Sequence, residues 1–341
     1  MKKILVVLLS IISLVSCDLA PYRSTHIADE DAFSRTREKQ ILTGDIVAEC
    51  NGVIRFPVIS DAHCGRELFD DGVVRFNENL LHYIEDMHAA GDRFPLLMLG
   101  DILDKEDQNA IDETEAFIRD IHEANPDMEI VYTCGNHELQ DCMVEDWEKR
   151  YGDLGRKLDD KLNLTGSYVI GDVEDPALMI YNVNSAYRMY GRRQLSALEA
   201  ALEENLDRNG GLKLITTHIP LSSSKLNQTM FNFIIGDERE RNAMLRLMHE
   251  YGPTFMLAGH HHKGNTFNSY SDVSSEFIFS AFHRRGEWME SPGRWYIFEI
   301  DTNTGKGDIW GISLRTRVPY GSSSEELDKL AEEHYAFELR K

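Results

Sequence analysis

Tyr132-Thr133-Cys134-Gly135-Asn136-His137-Glu138 is the stretch that decides how this chain folds. The β-branched pair Ile130 and Val131 leads into it, and an amide, an imidazole and a carboxylate follow Gly135 in succession. That is the pattern of a strand that stops and turns so that polar groups crowd one point. In open α/β sheets such points, at the carboxyl ends of strands, are where ligands bind. Taken alone, Gly135 to Glu138 is equally a turn that leads into a helix, with Asn136 or His137 in a left-handed conformation. The neighbouring segments decide between the two.

The same pattern recurs on both sides. Val53–Ile59 reads as a strand, with Pro57 suggesting an edge or irregular position, and it ends in Ser60-Asp61-Ala62-His63. Phe94–Leu99 is a fully apolar run of the kind a buried parallel strand needs, and it ends in Gly100-Asp101. Leu212–Thr217 delivers His218, and Thr254–Ala258 delivers Gly259-His260-His261-His262. Between these runs the apolar residues change to helical spacing: Val73–Met87, Ile111–Ala124 closed by Asn125-Pro126, Gln194–Leu206 stopped by Gly210-Gly211, and Asp237–Glu250. Strand and helix trade places, which predicts an α/β sandwich with a mainly parallel sheet. Beyond it, Glu276–Ala281, Arg294–Ile300 and Gly307–Leu314 read as antiparallel strands at an edge or in a second sheet. Ser322–Lys341 reads as a charged terminal helix, with Ser323 or Ser324 ahead of Glu325 and Glu326.

Composition sets the bounds. The 341 residues can bury a large core. A net charge of −22 repels phosphate backbones at long range and argues against long nucleic acid as a partner. It leaves a small anionic substrate open, because a bound metal reverses the local field. Lys2 and Lys3 precede an apolar run, Ile4–Val15, too short to span a bilayer, so the start reads as a secretory signal. It ends in Leu14-Val15-Ser16-Cys17, which resembles the lipobox of bacterial lipoproteins and implies a lipid on Cys17; the alternative is a plain signal peptide with an incidental cysteine. Either way the protein is exported, and with the lipid it is anchored at the cell envelope, periplasmic or on the cell surface. The expected order is therefore a signal over 1–17, a polar tether over 18–50, a globular body over 51–320 and a terminal helix over 321–341. In an exported protein Cys50, Cys64, Cys134 and Cys142 form either disulfides or buried free thiols.

Five strand ends thus offer Asp61 and His63, Asp101, Asn136 and His137, His218, and His260 and His262. Imidazole with carboxylate suits iron, manganese or zinc, and no thiolate cluster favours a structural zinc site. The ordered set Asp61-x-His63, Gly100-Asp101-x-x-Asp104, Gly135-Asn136-His137-Glu138, Thr217-His218-x-Pro220 and Gly259-His260-x-His262 resembles the calcineurin-like metallophosphoesterases over about residues 54 to 265. The resemblance implies a metal-bearing β-sandwich flanked by helices, in four αββα layers. It implies two metal ions, divalent or of mixed valence, one held by Asp61, His63 and His262 and the other by Asn136, His218 and His260, with Asp101 bridging. Two cations about 3.5 to 4 Å apart repel strongly unless an anion lies between them. Such a pair lowers the pKa of a shared water, and the hydroxide attacks phosphorus in line with the leaving oxygen. His137 matches the family's general acid, and Asp104 falls where a carboxylate pairs with that imidazole, or else caps the helix that follows.

Departures narrow the expectation. Lys105-Glu106 stands where phosphoprotein phosphatases carry Arg-Gly, and His63 and Asp104 stand where purple acid phosphatases carry Gly and Tyr. A basic residue to grip phosphate is then sought elsewhere, with Arg66, Arg284 and Arg285 as candidates. Leu221–Gly236, between the His218 and His260 donors, is the expected substrate region. His26, His82, His88, His122, His249 and His283 are set aside as solvated or structural, and His261, between two proposed ligands, is left out because it would point elsewhere. The expected activity is hydrolysis of phosphomonoesters or phosphodiesters. The rivals are a nucleotidase or nuclease of the same superfamily and a metal-binding surface lipoprotein without turnover.

Overall fold

The computed structural model describes residues 32–42, 52–65, 78–104, 108–138, 165–186, 188–206, 208, 212–222, 234–262, 265–279, 282 and 293–339. Its strands are β1 (Lys39–Leu42), β2 (Val53–Ile59), β3 (Leu96–Met98), β4 (Ile130–Tyr132), β5 (Gly166–Gly171), β6 (Pro176–Asn182), β7 (Leu212–Thr216), β8 (Thr254–Ala258), β9 (Thr266–Ser271), β10 (Ser274–Ile278), β11 (Arg294–Asp301), β12 (Lys306–Ser313) and β13 (Glu333–Glu338). Its helices are α1 (Glu78–Ala89), α2 (Gln108–Ala124), α3 (Arg192–Glu204), α4 (Glu238–Glu250) and α5 (Ser324–Leu330). Two mixed sheets form, of seven strands in the order β1-β5-β6-β7-β8-β10-β9 and of six in the order β13-β12-β11-β2-β3-β4.

Side-chain alternation builds the four expected layers. Along β6, β7 and β8, Leu178, Ile180, Leu214, Phe255 and Leu257 enter one core while Met179, Tyr181, Ile215 and Met256 enter another. The first core lies between the sheets, where Phe298 of the six-stranded sheet has its ring 5.0 Å from its neighbour Phe56 and 5.8 Å from Phe255 of the facing sheet. In the second, the far face meets Leu198 and Leu202 of α3 and Met244, Leu247 and Met248 of α4. On the outer face of the six-stranded sheet, Tyr83 of α1 packs on Trp295 of β11 with ring centroids 4.9 Å apart. Strands covered on both faces are apolar on both, as central parallel strands require. The helices begin where their sequence says they should: the Asp237 side chain accepts from Arg239 N, 2.8 Å, at the start of α4, and Ser323 and Glu326 form a capping box on α5.

Several expectations are corrected. The parallel pairings β2-β3-β4 and β6-β7-β8-β10 are split between two sheets, and β10 runs parallel to β8 and antiparallel to β9. Pro57 lies in an interior strand, not at an edge; it is tolerated because β3 pairs only with Val58 and Ile59, beyond the proline. The terminal helix expected over 321–341 is confined to α5. Glu333–Glu338 follows as β13 against β12, with Tyr335 and Phe337 turned inward on a period of two. The tether expected over 18–50 is part of the body from residue 32. There Phe33 is buried, β1 pairs parallel with β5, and Glu38 forms a buried two-pronged ion pair with Arg208, 2.8 and 3.0 Å. The signal, Cys17, Cys50, Cys142 and the first part of the helix expected over 73–87 lie outside the described residues. Among the described residues no helix is long and apolar enough to cross a membrane.

Candidate metal centre

The loops that leave β2, β3, β4, β7 and β8 meet where the ends of the two sheets come together. Their backbones are unusual: Asp61, His63, Asp101, His260 and His262 take φ of 55, 49, 50, 72 and 51°. Among the described residues only Arg188 joins them as a non-glycine with positive φ. A left-handed residue other than glycine costs about 1–3 kcal/mol and persists where its surroundings over-determine it, most often at functional sites. The motif glycines serve close approach. A Cβ on Gly100 would lie 2.6 Å from Nδ1 of His218, one on Gly135 would run into the Asp101 backbone nitrogen, and one on Gly259 would collide with Ser60 Oγ.

Nearly all the donors expected from sequence come together here. Asp61, His63, Asp101 and His262 offer atoms within 4.8 Å of one another, and so do Asp101, His218 and His260. In the first group His262 Nε2 is 3.0 Å from Asp61 Oδ1 and 3.3 Å from His63 Nε2. In the second His218 Nε2 is 3.1 Å from Asp101 Oδ2 and 3.2 Å from His260 Nδ1. Two donors each about 2.1 Å from one cation are themselves about 3.0 to 3.4 Å apart, so these spacings are edges of a coordination shell. Asp101 Oδ2 belongs to both groups, as a bridging oxygen would.

Hydrogen bonding sorts the oxygens in the same way. Asp61 Oδ2 accepts from Ser60 Oγ and from His260 N, 3.0 Å, and Asp101 Oδ1 accepts from His137 N, 2.8 Å. Asp61 Oδ1, Asp101 Oδ2 and Asn136 Oδ1 are buried with no hydrogen-bond donor. A buried acceptor left in this way costs about 1–3 kcal/mol, and a cation recovers that cost. The imidazoles are oriented from behind. His63 Nδ1 lies 2.9 Å from Asp104 Oδ1, and His218 Nδ1 lies 2.7 Å from the Leu99 carbonyl, so in each ring Nε2 is the nitrogen left to face the centre. The residues present therefore fit two cations.

The charges are tightly coupled. Burial alone would raise Asp61 and Asp101, but the imidazole charge of His262 on the first and of His218 on the second holds both well below the usual carboxylate range. Burial works against the His218 cation, yet Asp101 pushes that imidazole up to about 10. Burial and the His218 charge take His260 down to about 3, and burial lowers His63 against the pull of Asp104. Burial also drives the Cys64 thiol up to about 12 and the Cys134 thiol far above its ordinary value, and both are free thiols. No bridge joins them across the site, and neither is poised as a thiolate donor.

Two residues differ from expectation. The Asp104 carboxylate does not pair chiefly with His137: its Oδ1 is 3.6 Å from His137 Nδ1 but 2.9 Å from His63 Nδ1. The reason is that Asp104 N bonds to the Cys64 carbonyl, 3.0 Å, which sets its side chain beside His63, while its own carbonyl takes His137 Nδ1 at 2.6 Å. Glu138, to which sequence reasoning gave no role, accepts from the backbone nitrogens of Asp101 (3.1 Å), Ile102 (2.8 Å), Leu103 (3.2 Å) and Gly135 (2.8 Å) and from Tyr132 Oη (2.8 Å). It ties the Asp101 loop to the Asn136 loop. A carboxylate directly after Asn136 and His137 was the available signal. His261 is buried between the His260 and His262 donors, His82 bonds to Glu85, and His249 bonds to Ser271. Arg66, Arg284, Arg285 and residues 223–233 of the expected substrate region lie outside the described residues.

Four layers, two mixed sheets and carboxylate, amide and imidazole donors gathered at the strand ends define a metal-dependent phosphoesterase fold. The calcineurin-like phosphoesterase family model matches residues 54–264, and the chain belongs to that family. No curated protein gives a significant match. Among solved structures the chain is similar to a dimetal phosphatase from Danio rerio, with a TM-score of 0.51 and 11% identity over 84% of this chain and 99% of that one. It is also similar to the purple acid phosphatase PPD1 from yellow lupin, with a TM-score of 0.55 and 11% identity over 84% of this chain and 54% of that one. At that identity the likeness is one of fold.

Proposed function

We propose that this protein hydrolyses small phosphomonoesters or phosphodiesters with two cations of manganese, iron or zinc. Asp61, His63 and His262 would hold one, Asn136, His218 and His260 the other, and Asp101 both. The observation that carries this is the set of three buried oxygens, Asp61 Oδ1, Asp101 Oδ2 and Asn136 Oδ1, left without hydrogen-bond donors among imidazole nitrogens at coordination-edge distances. When bound, the cations supply Lewis acidity and a water acidic enough to attack phosphorus near neutral pH.

The remaining work falls to side chains. The Asp101 carboxylate would screen the repulsion between the cations, and the partners of His63 and His218 fix which ring nitrogen faces inward. His137 keeps Nδ1 on the Asp104 carbonyl and turns Nε2 to within 3.9 Å of Asp101 Oδ2, so a proton on Nε2 is in reach of the leaving oxygen of an ester bound there. The strongly acidic surface favours small esters over long nucleic acid.

The test is metal analysis of the purified protein, with hydrolysis of p-nitrophenyl phosphate and bis(p-nitrophenyl) phosphate after loading with Mn2+ or Zn2+. Asp101→Ala should abolish turnover, and retained turnover would rule out the shared carboxylate. Phosphate release from nucleotides alone would move the assignment to a nucleotidase. No turnover on any ester would leave a metal-binding protein. Export with a lipid on Cys17 belongs to the same proposal; palmitate labelling should disappear in Cys17→Ala.

A further inference from the structure

The exit of β6 contributes no donor to the centre, yet its last residue, Asn182, is fully buried between strands of both sheets. Its Nδ2 donates to the Tyr132 carbonyl at 2.7 Å. Its Oδ1 accepts from Thr133 Oγ1 at 2.7 Å and from Thr216 Oγ1 at 3.0 Å. The carbonyl opposite Nδ2 fixes the orientation of the amide, because a flipped Oδ1 would face another acceptor. Tyr132 closes β4, the edge strand of the six-stranded sheet, with Thr133 directly after it, and Thr216 closes β7 in the seven-stranded one. β4 and β7 share no strand pairing, so this one side chain spans the gap between them.

Both strands lead directly to proposed donors. Asn136 comes four residues after Tyr132, and His218 comes two after Thr216. Three residues past Asn182, Ser185 Oγ accepts from the backbone nitrogens of His218 (3.2 Å) and Ile219 (2.8 Å) and from Thr217 Oγ1 (2.9 Å). Other bonds join the sheets nearby: His218 Nδ1 to the Leu99 carbonyl at 2.7 Å reaches the end of β3, and His260 N to Asp61 Oδ2 at 3.0 Å and Phe282 N to Ser60 O at 2.7 Å reach the end of β2; none of these three reaches β4. We infer that Asn182 is a positioning residue that sets the distance between the Asn136 and His218 loops, and so governs one of the two cation sites and not the other. The inference rests on the proposed pair of sites.

An amide is the one side chain of this size that can accept twice and donate once here, which is why alanine, leucine and aspartate all break at least one arm. Loss of a hydrogen-bonded partner behind a ligand typically weakens metal binding about 10- to 100-fold. The experiment is chelator-competition titration of the metal-free full chain with Mn2+, comparing wild type with Asn182→Ala, and with Thr133→Val and Thr216→Val, near-isosteric changes that each remove one arm. The wild type should take up two ions. In Asn182→Ala one of the two steps should weaken about 10- to 100-fold while the other stays within about threefold. The Mn2+ concentration that half-activates hydrolysis should rise accordingly, with kcat largely recovered at saturating Mn2+. The valine variants should shift the same step by less. Two steps as tight as in the wild type, or two weakened by the same factor together with a fall in melting temperature, would overturn the assignment. A wild type that takes up no pair of ions would overturn the proposed site itself, before any variant is compared.

Discussion

Gly259→Ala puts the tightest contact of the centre to a test. The glycine backbone is outside the left-handed region, so alanine adds no torsional strain and its effect is one of space. The added carbon would overlap Ser60 Oγ and sit 2.9 Å from Asp61 Oδ2 and 3.1 Å from the Leu99 carbonyl. The serine hydroxyl can rotate away. The other two cannot, because Asp61 Oδ2 is held by His260 N and the Leu99 carbonyl by His218 Nδ1. Relief must come from the β2 and β8 loops moving apart by several tenths of an ångström, which costs about 1–3 kcal/mol as overpacking. The same shift separates Asp61 from His262, and coordination tolerates only about 0.2 Å. Metal affinity should therefore fall about 10- to 100-fold, and turnover at fixed metal by about 100-fold. Chelator competition and p-nitrophenyl phosphate hydrolysis measure the two. Gly91→Ala is the control: its Cβ meets nothing within 4 Å, so it should carry only the cost of φ +78° and leave turnover unchanged. A Gly259→Ala protein with wild-type metal uptake and turnover within about twofold would refute the steric argument.

Other substitutions probe separate parts of the molecule. His137→Ala should slow alkyl phosphates far more than nitrophenyl esters, whose leaving groups need little protonation; an equal loss on both would mean that His137 positions phosphate instead of donating a proton. Glu138→Ala strips the acceptor from four backbone nitrogens and a tyrosine hydroxyl, and should cost at least about 3 kcal/mol in urea unfolding of the metal-free protein, with loss of metal uptake; a change below about 1 kcal/mol would show the loops to be held by other bonds. Burial lowers the Lys213 ammonium to about 8 from 10.5. Between those values the unfolded chain binds the proton and the native one does not, so this group makes stability rise with pH across that window, while below it the buried charge costs up to about 3 kcal/mol. Lys213→Met should then be the more stable protein at pH 7 and lose that slope; unfolding curves at pH 7 and 10 decide, and a less stable variant at pH 7 counts against the argument.

The donors were legible because each stands at the end of an apolar run too short for a helix, and because glycine precedes Asp101, Asn136 and His260 where two loops approach closely. What lay beyond reach depended on distant partners. Arg37 and Glu38 read as part of a solvated tether, yet Glu38 is neutralised by Arg208, and directly after it Lys39–Leu42 pairs with β5 as an edge of the larger sheet. Asp104 has the spacing of a partner for His137, but which imidazole its carboxylate meets is set by a backbone bond to Cys64 that no spacing reveals. Ser323 and Glu326 announced the last helix correctly and said nothing of its length, because the switch to a period of two at Glu333 is short and half-exposed. β5 and β6 escaped notice because glycine and proline open them, and burial on both faces removes the alternation that marks a strand.

The place of β11 bears on how the molecule can be handled at the bench. It lies between β12 and β2, so the span that matches the family, 54–264, stops short of the strand that covers one whole side of β2. A gene trimmed to that span would yield a polypeptide with a naked, apolar sheet margin, which invites other chains to add themselves in register. Boundaries for recombinant production belong outside residues 32 and 339.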